Sequence, residues 1–156
     1  MTTYVRIIDN RTTVRFPASI PGAKGEAANR SGCAMISPSY SGAPALTSGT
    51  SKGVIRVASD LSGMRLADVG AGVSEVSTSG AVTVQMRRVR NGVSVNMLST
   101  VITIDQGEYD STTAAAAVIN TANDDVLTGD QIHFDVVTAG DAVRGLVVSF
   151  TFQPIT

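Results

Sequence analysis

In several runs from residue 81 onward, apolar and polar residues alternate with period two, the signature of half-buried strands. Over residues 81–90, Val82, Val84 and Met86 share one face, while Thr83, Gln85 and Arg87 share the other. Asn91-Gly92 follows, and both central positions of a type I′ turn need positive φ, so a hairpin returning through residues 93–97 is predicted. Residues 131–136 alternate again with Ile132, Phe134 and Val136 inward, and residues 146–152 place Leu146, Val148, Phe150 and Phe152 on one face. Residues 53–57 and 101–105 read as shorter strands. Residues 64–76 read as a strand kinked at Gly70 and Gly72, since a helix there would carry two glycines at a cost of about 2 kcal/mol. Ala114 to Ile119 is predicted as a short helix capped by Ser111 or Thr112. Turn signals every ten residues or so point to an all-β fold, an antiparallel β-sandwich of jelly-roll type.

The first third is built differently. Residues 4–8 and 13–16 read as two short strands around Asp9-Asn10-Arg11-Thr12, which is turn chemistry. A two-stranded hairpin is not stable alone, so it is expected to dock onto something. Residues 17–52 hold four of the five prolines and are rich in Gly, Ser and Ala. Such a stretch cannot offset its own ordering entropy, and reads either as a flexible linker or as an extended arm ordered on another protein. Ile20, Met35, Ile36, Tyr40 and Leu46 favour the arm. The expected division is therefore a hairpin and arm over 1–52 and a sandwich over 53–156.

Composition removes several functions. Twelve basic and thirteen acidic residues give a net charge of −1, so no long-range field points to nucleic acid or an anionic membrane. No apolar run is long enough to span a bilayer, and residues 1–10 lack the apolar core of a signal peptide. Only 4% of residues are aromatic, which removes large-area core anchors and suggests help from neighbouring subunits.

Candidate chemistry is sparse. His133 and Cys33 are the only histidine and thiol, about a hundred residues apart, so no ordinary zinc site is expected, nor any other cofactor. Asp105, Glu108, Asp110, Asp124, Asp125 and Asp130 flank strand ends without an EF-hand spacing, and read as turn formers rather than calcium ligands. No Ser lies in a Gly-x-Ser-x-Gly elbow, so a Ser-His-Asp triad has no sequence support and no catalytic residue is assigned. Arg87, Arg88 and Arg90 form the one basic cluster, but alternation sends Arg87 and Arg88 to opposite faces, and no aromatics interleave for base stacking.

Over about residues 64–152 come, in order, Asn91-Gly92, Thr103-Ile104-Asp105, Gly129-Asp130, Ile132, Asp135-Val136, Ala139-Gly140 and Gly145-Leu146-Val147-Val148. This order of signals resembles a β-module of tailed-bacteriophage virion proteins. It implies a non-enzymatic module of tail-fibre, spike and capsid-decorating proteins, often homotrimeric. Large fibre proteins carry it after a long repetitive shaft, whereas here a hairpin and arm precede it. That arrangement suits a capsid decoration or cement protein gripping the major capsid protein. A short tail fibre, receptor-binding tip or baseplate component, with or without glycan binding, is the alternative. The expected location is the virion, with no nucleic-acid or membrane partner. The residues expected to bind partners are Tyr4, Arg6, Arg15, Ile20, Met35, Tyr40, Arg87 and Arg90.

Overall fold

Val82, Val84 and Met86, the inward phase of the clearest alternating run, lie at the centre of the core, each almost wholly buried. The computed structural model describes the backbone of Tyr4–Asp9 and Thr12–Pro17, and residues 28–155 in full. Its strands are β1 (Tyr4–Asp9), β2 (Thr12–Pro17), β3 (Arg30–Met35), β4 (Gly49–Arg56), β5 (Met64–Gly72), β6 (Val82–Arg90) and β7 (Val93–Asn96). They continue through β8 (Leu98–Thr100), β9 (Ile102–Ile104), β10 (Val118–Ile119), β11 (Asp125–Val126), β12 (Gln131–Thr138) and β13 (Val147–Pro154). Among the described residues the only helical element is the 3-10 turn Ser59–Leu61.

Two antiparallel sheets face each other, an all-β sandwich. The first runs β11-β5-β13-β3; the second runs β4-β12-β6-β7. β9 shares the β7 side of β6, pairing Val82–Val84 where β7 pairs Arg87–Arg90. Between those two strands the chain steps out through β8, which pairs with β10. β1 and β2 form their own two-stranded sheet, with Tyr4 opposite Pro17 and Asp9 opposite Thr12.

Three of the scarce aromatics lie in the core between the sheets. Phe134 of β12 meets Phe150 of β13 at a centroid distance of 6.0 Å, and Phe150 meets Phe152 at 5.6 Å, both tilted. Both spacings lie in the favourable range for offset aromatic pairs. Leu146, Val148, Phe150 and Phe152 are all buried, as their alternation requires, and so are Ile132, Phe134 and Val136.

Two expectations need correcting. Residues 114–119 are not helical: the segment is irregular until β10. Four consecutive alanines are too few to nucleate a helix, and the preceding residues bond elsewhere. The Asp110 carboxylate takes the Thr112 amide at 2.8 Å, and the Ser111 hydroxyl takes the Ala71 amide of β5 at 3.0 Å. The boundary after residue 52 also moves, because residues 30–52 are woven into the sandwich. β3 pairs with β13 along its whole length, and β4 is the edge of the second sheet. Ile36, Ala43 and Leu46 are buried, and the main chain between β3 and β4 bonds to residues 143–146, as in Ile36 N–H to Leu146 O at 2.8 Å and Leu46 N–H to Val143 O at 2.7 Å. A Pro/Gly-rich stretch that borrows its hydrogen bonds from a distant loop shows no periodicity of its own.

Candidate interaction surface

The charged groups of β6 are the chemically densest part of the molecule. Arg88 continues the inward phase of Val82, Val84 and Met86 at the end of the sandwich and is 8% exposed. Its Nη1 donates to the main-chain oxygen of Asp125 at 2.6 Å and pairs with that residue's carboxylate. Arg90 reaches Asp130 with two parallel bonds, Nε to Oδ1 at 2.9 Å and Nη2 to Oδ2 at 2.7 Å, and touches Asp125 Oδ2 at 2.9 Å. Asp130 is 3% exposed and also accepts the Leu127 amide at 2.8 Å. Two guanidinium groups and two carboxylates thus lock the β11–β12 turn against β6. Paired forks of this kind are the strong form of ion pair.

On the outer face of the second sheet a separate strip crosses β7, β6, β12 and β4. Arg87 donates Nη1 to Ser94 Oγ at 2.6 Å and Nη2 to Asp135 Oδ1 at 2.9 Å, and its Nε closes on the other carboxylate oxygen. Asp135 also takes the Ser51 amide at 2.6 Å, and Ser51 Oγ lies 2.7 Å from His133 Nδ1. Ser51 has φ 53°, in a stretch where the β4–β12 register shifts. A serine in the left-handed region is uncommon, and here the bulge aims its amide at the carboxylate.

Burial alone would raise the pKa of each of Asp125, Asp130 and Asp135. Together the arginine hydrogen bonds (from Arg90 and Arg88 to Asp125, from Arg90 to Asp130 and from Arg87 to Asp135), the Leu127 and Ser51 amides on Asp130 and Asp135, and the nearby positive charge outweigh it, so all three carboxyls lie below their ordinary value. Arg87 and Arg90 are raised in turn, chiefly by their hydrogen bonds to Asp135 and Asp130.

Ser51, His133 and Asp135 are neighbours, yet they do not form a proton relay. The second histidine nitrogen, Nε2, faces Gln131 Oε1 at 3.1 Å, and the Asp135 oxygens are taken by Arg87 and the Ser51 amide. Among the described residues no three His, Cys, Asp or Glu side chains converge as a metal site. A groove of about 460 Å³ opens between β5, β9 and residues 111–117, walled by alanines and lined by Asp68, Thr103, Ser111 and Ser149. Its lining holds no aromatic platform for a sugar.

The residues expected to meet partners are scattered. Tyr4, Arg6 and Arg15 fall on β1 and β2, where only the backbone is described, and Ile20 lies outside the described residues. Met35 ends the edge strand β3 at 67% exposure, and Tyr40 stands 65% exposed in the following loop. Arg87 and Arg90 are held by internal carboxylates and brace neighbouring strands. Sequence reasoning missed both networks because the acids come from a loop and a strand far along the chain. The one local signal was Gly129-Asp130 before a strand, a turn that delivers an acid beside its neighbour's arginines. Compared with known proteins, the chain matches no family model, no curated protein and no solved structure.

Proposed function

We propose that the chain is a non-enzymatic structural protein of a bacteriophage virion, decorating or cementing the capsid by burying surface against the major capsid protein and copies of itself. The observation that supports this most is where the phage-like motif residues fall. Asn91 and Gly92 take φ of 51° and 80° in the β6–β7 turn, Gly140 and Gly145 take 61° and 66°, and Leu146 and Val148 are buried. These residues make the turns and core of the sandwich, as a shared module requires. The charged groups of β6 are neutralised internally, while Met35, Tyr40, Val93 and Tyr109 are 63–67% exposed, so contact by area is the available mode of binding.

The test is to look for the chain in purified particles by mass spectrometry and then image them. Density for the sandwich on the capsid surface is the expected result. Density on the tail would replace decoration with the fibre or baseplate reading, and absence from the particle would end the virion reading altogether.

A further inference from the structure

β3 carries a row of main-chain groups that no described residue meets. Ala71 bonds away from β13, to Ser111 through both its amide and its carbonyl at 3.0 Å, so Val148 opposite it directs its own groups toward β3. Val148 faces Ala34, Phe150 faces Gly32 and Phe152 faces Arg30, which makes these the hydrogen-bonded pairs of the β3–β13 ladder. By the same alternation, the N–H and C=O of Ser31, Cys33 and Met35 point to the other side, where β3 is the last strand of its sheet.

Other edges of the sandwich are interrupted or short. β4 is broken by the Ser51 bulge and carries Lys52, while β11 spans only Asp125–Val126. Bulges, lysines and short length are the usual protections of an edge. β3 has none of them: it contains no Pro, Lys or acid, its ladder with β13 runs without a register shift, and Ser31, Cys33 and Met35 are exposed.

We propose that β3 pairs antiparallel with β3 of a second copy about a two-fold axis at Cys33, joining two four-stranded sheets into one. The register follows from geometry. Keeping both core faces on the same side requires a residue to meet one of like parity, and using the free groups requires odd-numbered residues to form the bonded pairs. Centring on Cys33 is the register in which all three outward-pointing residues of β3 form bonded pairs: Ser31 opposite Met35 and Cys33 opposite Cys33, with Gly32 opposite Ala34 on the core side. The one charge of the strand, Arg30, then meets Ile36 of the other copy rather than its own counterpart. An edge repelling itself would favour a foreign strand; this edge is self-complementary, as a two-fold contact demands. The pairing stands on edge geometry and is independent of the virion reading.

The test uses the full chain. Sedimentation across a concentration series is expected to show a monomer–dimer equilibrium. A short bis-maleimide is expected to trap a covalent dimer that Cys33→Ser abolishes, because bonded pairs bring Cα atoms to about 5.5 Å. Ser31→Lys with Met35→Lys sets like charges opposite each other twice, at exposed positions, and weakens dimerisation about tenfold. Mixing that variant with Ser31→Glu/Met35→Glu restores it. A monomer throughout the series overturns the proposal. So does a trimer or other assembly that yields no Cys33 cross-link and ignores the lysine variant.

Discussion

At Gly32 the Phe150 ring approaches within 2.8 Å of where a β-carbon would stand, and Phe134 and Phe152 flank that ring, leaving it little room to retreat. Gly32→Ala is therefore expected to lower stability by about 1–3 kcal/mol through overpacking, read as a lower thermal midpoint. Asp130 acts differently, through charge. Asp130→Asn strips Arg90 of its bidentate partner near the protein interior and should cost about 2 kcal/mol at neutral pH. The same network sets the response to acid. Asp125, Asp130 and Asp135 titrate below their ordinary value in the folded chain, so their contribution is complete above the unfolded value of about 3.9 and is lost as pH falls through the lower folded values. Thermal midpoints should stay level from about pH 7 to about pH 5 and decline below about pH 4, less steeply in Asp130→Asn.

At the scale of elements, the β6–β7 hairpin depends on two left-handed residues. Gly92→Val puts a branched side chain at φ 80° and should cost about 1–2 kcal/mol, with faster amide hydrogen exchange over residues 90–93 than in β12. This hairpin, β12 and β13 were legible in the sequence, because each carries its own alternation and its own turn. β3 was not. Its sequence, RSGCAM, has no large inward residue, since the space at Gly32 is filled from Phe150 of another strand. The irregular run before β10 was misread for a related reason. Alanines favour a helix locally, but Ser111 is claimed by β5, and a hydrogen bond across 40 residues leaves no trace in local composition. The candidate surface divides in the same way: exposed Met35 and Tyr40 could be named from residue type, whereas the loss of Arg87 and Arg90 to internal acids depended on register.

For the molecule as a whole, the corrected boundary changes which deletions are tolerable. Removing residues 1–27 leaves both sheets intact and should keep a cooperative thermal transition. Removing residues 1–50 deletes β3 and the start of β4, uncovers Phe150 and should abolish that transition. The proposed attachment to a capsid can therefore be tested at the N-terminal segment only with the shorter deletion.

The pairing of β3 with β13 also bears on how the chain reaches its native state. Ser31 bonds Thr151 across 120 positions, so the first strand of the sandwich is matched by the last. A ribosome must release the chain through β13 before that sheet can close, and topologies of such high contact order fold slowly, in about milliseconds to seconds. Until then both sides of the strand are bare, and crowded nascent chains can pair with one another along it. Yield during high-level expression should thus depend on synthesis rate and temperature more than on final stability.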